Sequence, residues 1–376
     1  MHARSYVLRY DEVSSTTKAA VLLGPGELDI RELPLPEIGE DDGLLRVEAT
    51  GVCGSDIAAY HGHNPFYELP CVMGHELVGR VERIGAAAAE RWGVTEGDRI
   101  VVEEYLPCGT CRSCLAGAYQ MCKVPRYGGK SIHVAPGLFG GYADYLYLHP
   151  QSIVHRVEGD TPAELVQLYI PISNGLHWVQ DTAEAKIGST VVVIGPGPHG
   201  LGAVIGAREA GARTVILVGL ERDSARLEVG LELGADHVLS SDVDDVPDTV
   251  AEITGGQMAD AIVNAADSAL TIELAFAVAG DRAHIAQVGY GGGAGDAGLR
   301  SLAEILVTRR ITLRGVLGRP AAAVPAALRI IESGRYPLER MCTGTFPVEE
   351  TEKALTAITT DPAAIRSIVV PGAASG

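Results

Sequence analysis

Between Gly51 and Glu76 the chain gathers a thiol (Cys53), a hydroxyl (Ser55), a carboxylate (Asp56) and an imidazole–carboxylate pair (His75, Glu76). Thiolate, imidazole and carboxylate are zinc ligands, and a site with three protein ligands keeps a position open for substrate. On this reading Cys53, His75 and Glu76 hold a catalytic metal. Asp56 can orient His75 through its second ring nitrogen, and Ser55 can pass on the proton of a bound alcohol. Taken singly, each is more often a buried thiol, a satisfied core histidine or half of a local ion pair. The set together argues for chemistry.

A second cluster reads Cys108-x2-Cys111-x2-Cys114-x7-Cys122. Four thiolates at this spacing can close a tetrahedral zinc site, and four protein ligands leave no room for substrate, so this is a structural staple for a long loop. The total of seven cysteines is odd, which favours a reducing compartment and metal binding over a disulfide framework. Cys71 and Cys342 are left with structural roles.

The third motif is Gly195-Pro196-Gly197-Pro198-His199-Gly200, a G-x-G-x-x-G turn between the apolar run VVVI and a helical pattern. Such a turn brings backbone amides and a helix N-terminus to a pyrophosphate, which makes Gly195, Gly197, Pro198, His199 and Gly200 candidate cofactor contacts. The acid that usually binds the ribose hydroxyls falls at Gly219, in LVGLERD. Without it a 2′-phosphate meets no repulsion, and Arg222 could pair with one. This leans towards NADP(H); the alternative is that Glu221 or Asp223 takes over the acid role and NAD(H) is used.

These motifs need elements to position them. From 18 to 157 the chain reads as short strands with Gly- and Pro-rich turns and no long helical period, so an all-β lobe is expected. A helix-start signal, Thr161-Pro162 with Glu164 in the first turn, marks a change of style. Six apolar runs follow at 191–194, 214–218, 237–240, 260–264, 283–289 and 311–316. Helical patterns lie between them at 201–210, 224–233, 245–253, 268–279 and 299–309. Buried strands alternating with helices predict a doubly wound parallel six-stranded sheet of Rossmann type. After residue 318 come helical stretches at 321–333 and 349–358 and the strand RSIVV, a tail expected to return to the first lobe. GGGAG at 291–295 reads as a loop.

Composition narrows the function. A chain of 376 residues exceeds one typical core, so two domains are expected. Net charge is −18, which argues against a nucleic-acid partner. No apolar run is long enough to span a bilayer and the first residues lack a secretory pattern, so a cytoplasmic protein without membrane partners is expected.

GVCGSD, GHELVGRVERIG at 74–85, the four-cysteine loop and GPGPHG together resemble the zinc-containing medium-chain dehydrogenase/reductase superfamily of alcohol, polyol and threonine dehydrogenases, over residues 17–370. The resemblance implies a GroES-like catalytic domain at 17–170 and 318–376, a Rossmann domain at 171–317, and a short extension at 1–16. It implies Zn2+ at one catalytic and one structural site, NAD(P)(H), a small alcohol or carbonyl substrate, and a homodimer or homotetramer. It gives Cys53 and His75 as zinc ligands, Glu76 as ligand or neighbour, and Ser55 as the hydroxyl that meets the substrate oxygen. Backbone around Val288 and Val316 would receive the nicotinamide carboxamide. Two positions depart from the pattern. A further metal ligand is expected where this chain has Ile170, and a relay histidine where it has Ala58; His61 or His63 could substitute for the latter. The reading is an NAD(P)-dependent alcohol dehydrogenase. The alternatives are a zinc-independent NADPH-dependent enone or quinone reductase of the same fold, which Ile170 keeps open, and a non-catalytic nucleotide-binding protein. Tyr60, Phe66 and Trp178 are pocket candidates by position alone.

Overall fold

The computed structural model describes residues 15–124, 126–268, 270–289 and 299–373. The GGGAG loop and nearly all of the N-terminal extension lie outside these residues. The apolar runs of the second half form six parallel strands in the spatial order His237–Ser240, Thr214–Gly219, Thr190–Ile194, Ala259–Asn264, Ala279–Gln287, Thr312–Gly315. Every residue of Thr190–Ile194 is buried, as a strand covered by helices on both faces requires. The strand order reverses around this first strand, so the G-x-G-x-x-G turn at its carboxyl end opens the crevice where such sheets hold ligands.

The first half and the C-terminal tail together form a mixed sheet of the strands Cys342–Phe346, Arg366–Val369, Gly43–Gly51, Glu76–Ile84, Arg99–Val102 and Val154–Arg156, antiparallel except for the parallel pair Cys342–Phe346 and Arg366–Val369, with Tyr145–Leu148 also paired to Gly43–Gly51. A three-stranded sheet of Glu27–Pro34, Thr16–Gly24 and Cys71–Val72 packs beside it. The tail does return: Arg366–Val369 pairs with Gly43–Gly51.

The first lobe is not all β. Helices Gly54–Tyr60 and Ala86–Trp92 interrupt it. At about two turns each they are too short to show a hydrophobic period, and what starts the first is local: the Asp56 carboxylate accepts the Cys53 N–H at 3.1 Å. The helix expected from Thr161 is split into Ala163–Val166 and Tyr169–His177, the second with Pro171 tolerated in its first turn.

Helix Tyr169–His177 crosses helix Pro198–Glu209, which the glycine-rich turn opens, at backbone contact. A Cβ on Gly175 would stand 2.2 Å from the Gly202 carbonyl, and one on Gly202 would stand 2.2 Å from that of Pro171. This crossing fixes where the glycine-rich turn lies relative to the first lobe. Gly175→Ala is therefore expected to cost about 1–3 kcal/mol through overpacking. Urea denaturation with an unchanged midpoint would contradict a crossing this tight.

Candidate functional site

Antiparallel pairing assembles the site. Gly51 stands opposite Glu76 in one ladder and opposite Ile368 in the other. The start of GVCGSD, the end of Gly74-His75-Glu76 and the C-terminal strand therefore meet, although hundreds of residues separate the outer two in sequence. Helix Gly54–Tyr60 then turns Ser55 and Asp56 back over the ladder.

Asp56 is fully buried and collects donors. Oδ1 accepts the Tyr67 hydroxyl at 2.8 Å and faces His75 Nδ1 at 3.4 Å. Oδ2 accepts the Cys53 N–H and, at 2.9 Å, the Tyr142 hydroxyl. Burial works to raise its pKa, but His75 and these hydrogen bonds outweigh it and hold the carboxyl below the usual range. Tyr142 reaches Asp56 across Gly74: at φ +85° a side chain there would be strained, and its Cβ would lie 2.6 Å from the Tyr142 ring. Asp56 thus holds His75 by Nδ1 and leaves Nε2 facing Ser55 Oγ at 3.4 Å and Glu76 Oε1 at 4.0 Å.

Glu76 is also fully buried. Its Oε2 accepts from Arg366 Nη2, while Arg366 donates from Nε to Gln167 at 3.0 Å and from Nη1 to the Val52 carbonyl at 3.1 Å. Burial pushes the Glu76 carboxyl up; Arg366 foremost, with His199 and His75, holds it below its ordinary value. The other oxygen, Oε1, is buried without a hydrogen-bond partner among the described residues. Beside it, burial and then Glu76 raise the Cys53 thiol, with His75 opposing. A partnerless carboxylate oxygen next to a half-buried thiol and an imidazole suits a divalent cation, so the donor set fits zinc.

The glycine-rich turn supplies a donor that sequence reasoning assigned only to the cofactor. A His199 ring nitrogen, a Cys53 Sγ and a Glu76 oxygen all lie within 4.8 Å of one another. The signal in the sequence was a histidine in a turn whose chemistry needs only glycines and backbone amides. Ile170, by contrast, is 3% exposed within the apolar core between the lobes and offers no ligand.

The wall of the site carries a second ion pair unseen in the sequence. Arg319 is fully buried, and its Nη1 donates to both oxygens of Glu104 at 2.8 and 2.9 Å. Glu104 is held low by Arg319, against burial. Next to it Glu103 accepts Tyr119 OH at 2.8 Å, and the Tyr105 and Tyr119 rings pack edge-on at 5.6 Å. Tyr119 belongs to the four-cysteine loop. The sulfurs of Cys108, Cys111, Cys114 and Cys122 lie within 4.8 Å of one another, with Cys108 and Cys114 3.9 Å apart. A tetrahedron of roughly 2.3 Å Zn–S bonds has edges of about 3.8 Å, so the cage is the right size. Backbone hydrogen bonds from Thr110 and then Cys111 bring the Cys108 thiol down to about 6.

On the cofactor side, Gly195 adopts φ +101° and Gly197 caps the helix, with Pro198 at its first position. Val288 and Val316 follow the last two strands at the same edge of the sheet. Gly219 is buried, and a Cβ there would meet Pro196 Cγ at 3.0 Å and Leu227 Cδ2 at 3.1 Å. Asp223 is spent on its own turn, accepting the Leu220 N–H at 3.1 Å. Arg222 is exposed and makes no ion pair among the described residues. Of the pocket candidates, Trp178 lies beside His199, with ring centroids 5.2 Å apart. Tyr60 is instead buried and bonded to Glu352, and Phe66 is 65% exposed. His61 and His63 are both exposed, with ring centroids 6.3 Å apart.

A two-lobed fold of this topology, with a Cys–His–Glu cluster facing a glycine-rich turn, defines a class of zinc-binding dehydrogenases. Comparison with known proteins agrees. The family "Alcohol dehydrogenase GroES-like domain" matches residues 39–158 and "Zinc-binding dehydrogenase" matches 198–333. The chain is 39% identical over 340 residues to a probable alcohol dehydrogenase of Mycobacterium tuberculosis, covering 87% of this chain and 91% of that one. It is 30% identical to erythritol/L-threitol dehydrogenase of Mycolicibacterium smegmatis, covering 96% and 99%. Among solved structures, an alcohol dehydrogenase of Thermotoga maritima superposes with a TM-score of 0.86 at 25% identity, covering 95% and 99%. A zinc-binding dehydrogenase of Sinorhizobium meliloti 1021 bound to NADP superposes at 0.83 with 26% identity, covering 95% and 100%. The chain belongs to the zinc-containing medium-chain dehydrogenase/reductase superfamily. Among the described residues no helix is long and apolar enough to cross a membrane.

The four-cysteine loop braces the wall formed by Glu103–Tyr105 and stands apart from the Cys53 donors. Cys111→Ser should therefore lower the thermal midpoint and release one zinc per chain while retaining weak turnover at low temperature. A variant of unchanged midpoint with turnover abolished would contradict the staple role.

Proposed function

We propose that this protein is a zinc-dependent alcohol dehydrogenase with a preference for NADP(H), in which Cys53, His75 and Glu76 hold the catalytic metal. The observation that carries the reading is the buried, partnerless Oε1 of Glu76 beside Cys53 and His75. It is a position a cation would complete, and it speaks against the zinc-independent reductase. When bound, zinc supplies Lewis acidity towards the substrate oxygen, and the nicotinamide exchanges the hydride.

The chain's own residues do the rest. Asp56 fixes the His75 ring through Nδ1. Arg366 neutralises one oxygen of Glu76 and leaves the other for the metal. Ser55, on the first turn of helix Gly54–Tyr60, is the hydroxyl placed to hydrogen-bond the substrate oxygen and take its proton. The turn at 195–200 holds the pyrophosphate, and backbone after Val288 and Val316 holds the carboxamide. Support for the NADP(H) preference lies in Gly219, where Pro196 and Leu227 crowd out an acid, and in the unpaired Arg222. We place the lobe boundaries at 17–170 with 318–376 and at 171–317; the pairing of Arg366–Val369 with Gly43–Gly51 supports this division.

Turnover should be assayed by nicotinamide absorbance on alcohols, aldehydes and ketones, with polyols included because relatives carry polyol dehydrogenase names. Cys53→Ser and His75→Ala should abolish turnover while NADPH binding, followed by fluorescence, persists. Unchanged turnover in either would remove the zinc mechanism. The Gly219→Asp change alone forces the new Cβ against Pro196, so it should be made together with Pro196→Ala. The pair should move the kcat/KM ratio towards NAD(H); no change would mean that the ribose is read elsewhere.

A further inference from the structure

We propose that His199, carried on the helix of the cofactor turn, is itself a ligand of the catalytic metal. It would supply the donor that Ile170 cannot. The proposal rests on the catalytic-zinc reading above and adds a residue that this reading leaves to the cofactor.

Three observations carry it. A His199 nitrogen lies within 4.8 Å of both the Cys53 and the Glu76 donor atoms, so one ion can touch all three. His75 Nε2 lies 4.0 Å from the free oxygen of Glu76 and is a nearby fourth donor beside the Cys53, Glu76 and His199 group. One ring nitrogen of His199 has a neighbour of the kind a metal-bound imidazole needs. Its Nδ1 is 3.5 Å from the Asn174 amide, and Asn174 Oδ1 is buried with no partner. Turning that amide over lets Oδ1 accept the Nδ1–H of His199. One buried oxygen is then satisfied, the tautomer is fixed, and Nε2 is left unprotonated for the metal. Packing against Trp178 at 5.2 Å orients the ring but gives no reason for a histidine rather than an apolar side chain.

The backbone explains the reach. Gly175 and Gly202 let helix Pro198–Glu209 lie against helix Tyr169–His177, so its first turn stands over the ladder that carries Glu76. The ligand set then spans both lobes. Metal affinity becomes sensitive to how the lobes sit, and cofactor and metal are linked through one side chain.

The test measures zinc per chain after dialysis against a chelator, and zinc affinity by competition with a chromophoric chelator. Wild type, Cys53→Ser, His199→Val and Asn174→Ala are compared. Cys53→Ser should lose one of two zincs. His199→Val should lose the same one. Asn174→Ala should weaken it by roughly 10–100-fold, as removing a ligand's outer hydrogen-bond partner does, and His199→Val by more than Asn174→Ala. With cobalt in this site, His199→Val should also shift the d–d absorption, which a merely structural histidine would not. If Cys53→Ser loses metal but His199→Val keeps wild-type affinity and an unshifted cobalt spectrum, the His199 assignment is overturned and the zinc reading stands. If Cys53→Ser loses none, the zinc reading itself fails.

Discussion

The structure depends on the cost of burying acidic groups together. Asp56 and Glu76 are fully buried, and Cys53 adds a thiol whose anion is disfavoured there. Removing such groups from water costs several kcal/mol per charge unless partners answer it. Arg366 answers one oxygen of Glu76. His75, Tyr67, Tyr142 and two backbone amides answer Asp56. What is left over, Glu76 Oε1 beside Cys53, is a deficit of positive charge in the centre of the molecule. A divalent cation would meet that deficit.

Many sequence features distant from one another serve this arrangement. Gly51 has no side chain because the Arg366 guanidinium and Gln167 amide occupy the place of its Cβ. Gly74 yields to Tyr142. The C-terminal strand returns to the first lobe and thereby delivers Arg366. Trp178 donates across the seam between the lobes to the Gly318 carbonyl at 3.0 Å, and within the first lobe Tyr169 donates to the Val102 carbonyl at 2.6 Å. The Glu104–Arg319 pair, also within the first lobe, is buried and bidentate, with Nε and Nη2 of Arg319 without hydrogen-bond partners among the described residues. The two lobes are joined by the Trp178 hydrogen bond as well as by apolar packing.

On the cofactor side, packing is tight where the second strand of the parallel sheet ends. Pro196, the second residue of the glycine-rich motif, presses on Gly219 at the end of the neighbouring strand. A side chain at Gly219 would need Pro196 and Leu227 to give way by a few tenths of an ångström, and Asp223 accepts the Leu220 N–H of its own turn. Arg222 makes no ion pair among the described residues.

Much of this was legible in the chain. The six apolar runs gave the parallel strands within a few residues, because a doubly buried strand must be apolar throughout. Cys53, His75, Glu76 and the four-cysteine loop were legible because few other roles need those residue types at those spacings. The short helices of the first lobe were not, since two turns carry no period and Asp56 capping Cys53 is a three-residue event. Neither were the partners of Arg366, Arg319 and Asn174, nor the place of His199 beside Cys53 and Glu76. The sequence by itself determined which groups could bind metal and cofactor and which strands had to be buried. Only the tertiary structure decided which of those groups meet. Strand register sets Gly51 against Glu76, and the glycine contact between two helices lowers His199 onto the cluster; both are contacts between distant segments, which no local spacing encodes.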